Sequence, residues 1–348
     1  MPKRHLEAPT AEARAKMRRQ LGTLKSLTVQ PITRKRYEEA RESFYNWLRA
    51  ERILLPNSAY QLDFVVSDYL EALWAQGKGR TEGSNILAGL QDAQPHLKGK
   101  LKMSWRLMKT WATHEVPNRA PPLALDCLYV LVGYAIFKKW HLFALSLLLG
   151  FHGLLRTGEL LALKAKDVSI VSSKGPAIIS LGLTKSGKRQ GVAESVTLHS
   201  EDVCRRLFQW KSVAASDMLL CGPSHQWRKR FAEIVTAVNF DKFDFRPYSL
   251  RRGGATHLFQ VQGRFDSLLV LGRWQAAATA RIYINSGLAV LAEISVPWDA
   301  FNKNLRSQYL TGLTKPLAKL ELTKPASQRR GTWKRSKNPT NTGVVWCG

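Results

Sequence analysis

Apolar residues recur at helical spacing through the first third of the chain. Tyr37, Ala40, Phe44 and Leu48 fall on one face, which predicts a helix that opens after Pro31 with Thr33 as its cap and is stopped by Pro56. Leu62, Val65, Val66, Tyr69 and Leu73 carry a second helix over residues 60–75. Shorter patterns predict helices at 81–92 and 101–113, and the Gly-Lys-Gly-Arg turn at 77–80 separates two of the four. Residues 30–115 therefore read as a small all-helical domain. Residues 1–29 lack this periodicity and read as a basic arm, either mobile or a lone surface helix.

Three prolines within 117–122, among residues with little to pack, mark a linker over 116–122. The pattern then changes. Helical runs at 123–137 and 141–151 give way to alternating or β-branched runs at 168–171, 177–183 and 192–198. Between the last two, Thr184 to Gly191 is rich in turn formers and positive charge and reads as a hairpin loop. Helices resume at Glu201, near Ser224 and at Tyr248. The predicted fold is mainly α, with residues 123–313 forming a mixed domain around a small antiparallel sheet. The longest apolar run, 142–151, is interrupted by Ser146 and Gly150 and is far short of the roughly 20 residues a membrane span needs. It reads as a buried core helix, and no membrane partner is expected.

Charge changes the picture. The 348 residues suffice for about two domains, and their 45% hydrophobic content is that of an ordinary globular chain. Lys and Arg number 53 against 26 Asp and Glu, a net charge of +27. Lysines and arginines laid on phosphates release condensed counterions, so nucleic acid is the default partner. The same balance also fits a ribosome-associated protein, a histone-like protein or one lying on anionic membranes. Residues 314–348, with eight Lys or Arg against one Glu, read as a solvated basic tail. Cys127, Cys204, Cys221 and Cys347 have no paired spacing, which argues against a disulfide framework or a zinc site. The first residues, Met1-Pro-Lys-Arg-His, lack the apolar centre of a secretory signal, so a reducing compartment is expected.

Four segments of the second domain carry candidate chemistry. In order they are Leu155-Arg156-Thr157-Gly158-Glu159-Leu160, Thr184-Lys185-Ser186-Gly187, Tyr248-Ser249-Leu250-Arg251-Arg252-Gly253-Gly254-Ala255-Thr256, and Leu271-Gly272-Arg273-Trp274 with Tyr283 nine residues beyond Trp274. Each alone is weak; four in order over about 130 residues are a strong signal. Together they resemble the catalytic motifs of the tyrosine recombinase (phage integrase) family, and the Arg-Arg-Gly-Gly and Gly-Arg-Trp wording is similar to eukaryotic DIRS-type retroelement recombinases. The resemblance implies a helical, SAM-like core-binding domain followed by the family's catalytic domain. It also implies double-stranded DNA as substrate, four protomers on two duplexes, and no cofactor or metal. A mobile-element origin and, in a eukaryote, a nuclear location go with it.

The residue types suit the chemistry. Breaking a phosphodiester without a metal needs a nucleophile, positive charge for the oxygens of the transition state and a proton donor for the leaving 5′ oxygen. By the resemblance, Tyr283 attacks and holds the 3′ end as a phosphotyrosine, which conserves bond energy for rejoining. Arg156 and Arg251 supply charge, since a guanidinium can grip two phosphate oxygens and stays protonated. Lys185 is the expected general acid, with Lys188 its competitor and otherwise a DNA contact. Trp274 stands at the His or Trp position, favoured over Arg273 by its spacing to Tyr283, and offers an indole N–H to phosphate while packing on the nucleophile's helix. Tyr248 replaces the usual His or Lys, and either keeps a hydrogen-bonding role or lowers activity. Glu159 is expected to buttress Arg156, and Arg252 to meet phosphate or solvent.

In the helical domain Arg34, Lys35, Arg80, Lys102, Arg106 and Lys109 together fit a clamp on a duplex. Three other readings remain open. A DNA-binding protein that no longer cuts would trap no covalent DNA, a type IB topoisomerase-like enzyme would relax supercoils as a monomer, and a basic structural or RNA-binding protein would make the ordered motifs accidental.

Overall fold

Pro31, rather than Thr33, opens the first long helix. In the computed structural model, which describes residues 10–182, 184, 187 and 191–312, helix α2 runs Pro31–Ala50 with Pro31 in its first turn and Gln30 before it. A proline lacks the N–H that has no partner there and arrives with its φ preset, so it displaces Thr33 as the start. The helix also ends short of Pro56. Arg52 turns left-handed at φ 57°, and the chain leaves the helix before the proline is reached.

The described residues form two compact units, divided between Asn118 and Arg119. In the first, α1 (Ala11–Leu21) buries no residue. The core is built by α2, α3 (Ala59–Ala75), α4 (Arg80–Ala93) and α5 (Lys102–His114), around Phe44, Leu62, Val66, Leu70, Ile86, Leu87, Leu90, Met108 and Trp111. Asp63 of α3 is buried and caps α5 from outside. Its carboxylate accepts the Met103 and Ser104 backbone N–H groups at 2.8 and 3.0 Å and the Ser104 hydroxyl at 2.6 Å. This satisfies donors that a helix N-terminus otherwise leaves orphaned and places negative charge at the positive end of its dipole.

The second unit is built on α6 (Leu125–Phe137) and α7 (His141–His152), of which α7 is buried continuously from Phe143 to Phe151. A short α8 (Thr157–Ala162) follows, then strands β1 (Val168–Ile170), β2 (Ala177–Gly182) and β3 (Glu194–Leu198) in antiparallel order β1-β2-β3. Val168, Ile179 and Val196 are register partners on the core face. The register shifts between Ser180 and Gly182, so that Gly182 pairs with Glu194 where the hairpin leaves the sheet. The chain continues through α9 (Glu201–Val213), α10 (Ser224–Ala237), α11 (Ser249–Gln262), α12 (Phe265–Gly272), α13 (Ala277–Arg281), α14 (Ser286–Ile294) and α15 (Ala300–Gly312). Mainly helical structure with one small antiparallel sheet is the predicted class. None of the described helices is long and apolar enough to cross a membrane.

Gly253 and Gly254 explain how α11 sits so deep. A Cβ on Gly253 would lie 2.0 Å from the Leu123 carbonyl oxygen, and one on Gly254 2.0 Å from that of Phe151. Side chains there would push α11 off the start of the unit and the end of α7. The two arginines that precede this pair are drawn into the interior with it.

Candidate active site

The chain leaves α7 through Leu154, a non-glycine residue in left-handed conformation at φ 45°. Two residues later Arg156 stands at the N-terminus of α8. The Glu159 carboxylate accepts its backbone N–H at 2.8 Å and pairs with its guanidinium at 2.5 Å, so Glu159 buttresses Arg156 as expected. The Arg156 side chain keeps 32% exposure.

Arg251, in the first turn of α11, is only 1% exposed. Its Nη1 donates to the Leu154 carbonyl and its Nη2 to the Gly272 carbonyl at 2.6 Å. Its guanidinium lies 4.8 Å from the Trp274 ring centre and 5.4 Å from that of Tyr283. The expected two-pronged grip on phosphate is therefore engaged by main-chain carbonyls, and Arg251 is a buried charge beneath the aromatic pair. Burial first, then the nearby Arg273 and Arg156 charges, bring its pKa down to about 10. Arg252 departs further from expectation. It is buried, with Nη1 on the Ala120 carbonyl at 2.7 Å and Nη2 on that of Ile282 at 2.9 Å, and so ties the start of the unit to the turn that bears Tyr283.

Tyr283 lies in the turn after α13, not within a helix; its backbone N–H reaches the Ala280 carbonyl at 2.9 Å and its own carbonyl accepts from Thr256 at 3.3 Å. Trp274, 8% exposed, packs on its ring at 4.4 Å between centres. The indole faces Tyr283 and Arg251 rather than open solvent. A Cβ on Gly272 would overlap that indole at 2.1 Å, so the glycine makes room for Trp274. With Leu154, Ala255, Leu268 and Ala280, Trp274 forms a small apolar cluster against which Tyr283 rests.

The hydroxyl of Tyr248 donates to that of Tyr283 at 2.5 Å. Burial pushes the Tyr283 phenol up, but the Tyr248 donor, the Arg251 guanidinium, the Trp274 indole and the Arg156 charge outweigh it and hold the phenol below its ordinary value. Tyr248 moves the other way: burial, its bond to Tyr283 and the negative charge Tyr283 would carry all raise it. The pair is divided into a donor that keeps its proton and an acceptor disposed to lose one.

Two further side chains belong to the site. Arg273, set aside in the motif reading, and Glu194, which had no signal in an alternating strand, join Arg156 and Glu159 in one ion cluster. Lys185 and Lys188 lie outside the described residues. Lys102, Arg106 and Lys109 stand on the solvent face of α5, opposite buried Ser104, Met108 and Trp111. Lys35 pairs with Glu39 on the surface at 3.8 Å, Arg34 donates to the Ser26 carbonyl at 3.0 Å, and Arg80 is the first residue of α4.

No family model and no curated protein matches the chain. Solved structures similar to it are recombinases and integrases. A lambda integrase dimer bound to a COC′ core site is 16% identical, over 84% of this chain and 79% of that one, with a TM-score of 0.49. The Tn1549 transposon integrase in complex with transposon right end DNA is 13% identical, over 80% and 96%, with a TM-score of 0.49. XerH site-specific recombinase bound to difH substrate is 16% identical, over 76% and 85%, with a TM-score of 0.40. What chemistry this chain performs has to be argued from its own side chains.

Proposed function

We propose that the chain is a DNA recombinase or integrase of the tyrosine recombinase kind that cleaves and rejoins DNA through Tyr283. One observation carries the reading: residues from motifs far apart in sequence converge on one phenol and the ion cluster beside it. Arg251 bonds to Leu154, 97 positions away, Arg273 bonds to Glu159, 114 away, and Tyr248 bonds to Tyr283, 35 away. Accidental motifs have no reason to converge.

In this reading the Tyr283 oxygen bonds to phosphorus as the bond to the 5′ oxygen breaks, and the 3′ end stays on the enzyme as a phosphotyrosine. Lys185 gives a proton to the departing oxygen, with Lys188 as the alternative, and the phenol proton leaves to solvent. Arg156, partly exposed, meets the phosphate oxygens. Arg251 acts from beneath, its charge stabilising the phenolate through the ring stack. Tyr248 is a hydrogen-bond donor to the nucleophile and not its base. Lys102, Arg106 and Lys109 supply backbone contacts from the helical unit. Four protomers act on two duplexes, a state supported by the apolar residues Leu288, Leu291 and Ile294 that α14 leaves exposed. A mobile element is the proposed source of the gene.

A second reading, a DNA-binding protein of the same fold that no longer cuts, is favoured by Tyr248 standing where the family has His or Lys. Incubation with nicked DNA carrying candidate sites separates the two. A denaturant-resistant adduct that Tyr283→Phe abolishes supports the recombinase; no adduct supports the binding protein. An adduct that survives Tyr283→Phe overturns the nucleophile assignment.

A further inference from the structure

We propose that Arg273 is a positioning residue that balances Glu159 and Glu194, so that Arg156 can offer its charge to a DNA phosphate; this rests on the recombinase reading above. The backbone points to a role for the side chain. Arg273 caps α12 in left-handed conformation, φ 55° and ψ 46°, where glycine is at ease and an L-residue is strained. Trp274 follows directly and needs its place against Tyr283, so the strained residue is the hinge that delivers the indole. A glycine would serve that turn; an arginine does something more.

What it does is visible in its contacts. The Arg273 side chain is 6% exposed, with Nη2 2.6 Å from Glu159 Oε2 and Nε 3.3 Å from Glu194 Oε2. Its Nη2 also lies 3.4 Å from the Leu154 carbonyl, the same oxygen that takes Arg251. Arg156 meets the other oxygen of Glu159, Oε1, at 2.5 Å, and shares Glu194 Oε2 with Arg273 at 3.6 Å. Two guanidinia and two carboxylates thus alternate, drawn from the turn before α8, α8 itself, the first residue of β3 and the end of α12.

Removing one member unbalances the cluster. Without Arg273, the two carboxylates keep Arg156 and the nearby Arg251 but lose one positive charge, so the cluster turns more negative where an anionic phosphate must approach. Arg273 is too enclosed to touch DNA, whereas Arg156 is open to it. Its part in the reaction therefore runs through Arg156.

The test compares full-length wild type, Arg273→Gln, Arg273→Lys and the double variant Arg273→Gln/Glu194→Gln on nicked DNA, reading the single-turnover rate of covalent adduct formation and the Kd for uncleaved DNA. Arg273→Gln should lose about 100-fold in rate, the scale of one preorganised charge, with a far smaller rise in Kd because many other phosphate contacts hold uncleaved DNA. The double variant should regain most of that loss, because removing one carboxylate restores the cluster's net charge; a scaffold residue would gain nothing from a second lesion. Arg273→Lys, which keeps the charge, should stay nearer wild type and decides the matter if the Gln variant does not fold. An Arg273→Gln enzyme as fast as wild type overturns the proposal, and so does a folded one that Glu194→Gln fails to rescue or an Arg273→Lys as slow as the Gln variant. A wild type that forms no adduct sinks the recombinase reading itself, before any variant is compared, and the role of Arg273 with it.

Discussion

In the helical unit, a buried carboxylate, Asp63, serves architecture: its acceptors are filled by the backbone and hydroxyl donors of α5. In the second unit, the buried Arg251 lies close to the Arg273 and Arg156 charges, and Arg252 is buried beside it in the chain. The first arrangement lowers the free energy of the fold by placing charge where a helix dipole welcomes it. The second carries an electrostatic cost within a packed and hydrogen-bonded setting, because burial and like charges both oppose the protonated guanidinium, and Arg251 titrates lower as a result. Among the described residues, Arg251 Nε and Arg252 Nε also have no hydrogen-bond partner. Strongly perturbed groups crowded around a candidate nucleophile are the mark of a site shaped for a ligand rather than for stability.

The comparison breaks most sharply at Arg251. Arg251→Ala would strip the Leu154 and Gly272 carbonyls of their donor and empty the space beneath Trp274, at a cost of about 3–5 kcal/mol in a denaturant melt, with the covalent adduct lost as well. If stability falls while cleavage persists, the charge is architectural and the contrast between the units fails. Asp63→Ala should cost less, about 2 kcal/mol, because two N–H groups of α5 lose their acceptor but no buried charge is left without its partner. Adduct formation per folded molecule should stay unchanged, and a loss would show that Asp63 is not confined to architecture.

Tyr248→Phe is the mildest change and the most pointed. It removes the donor to Tyr283 and leaves the ring, so the phenol loses one influence that holds its pKa down while the burial that pushes it up remains. A nucleophile ionised above its pKa then needs a higher pH. Cleavage near neutrality should fall about tenfold, the equivalent of roughly 1.4 kcal/mol, and recover as pH rises. An unshifted pH profile would remove Tyr248 from the activation of Tyr283.

Parts of this were legible from residue order alone. Helical and two-residue periodicity located α2 to α7 and the three strands to within a few residues, since each depends on neighbours along the chain. The exceptions were local competitions, such as Pro31 displacing Thr33 or Arg52 ending α2 before Pro56. The motif spacing singled out Arg156, Arg251, Trp274 and Tyr283, and the structure brings all four together. The placement of Arg251 and Arg252 was not legible: the motif gives Arg251 to the reacting phosphate and Arg252 to phosphate or solvent, and only the approach of α11 to Leu123 and Phe151 buries both.

The sequence by itself therefore determined the mainly helical class, the small sheet, the positive net charge and the motif residues around the candidate site. Tertiary structure alone decided that Arg251 lies under Tyr283, that Tyr248 donates to it, and that Glu194 and Arg273 complete the cluster around Arg156. Periodicity reports which residues share a face of one element. The sign and strength of a charge interaction depend on distances of a few ångströms between side chains a hundred positions apart, and on the solvent their burial excludes.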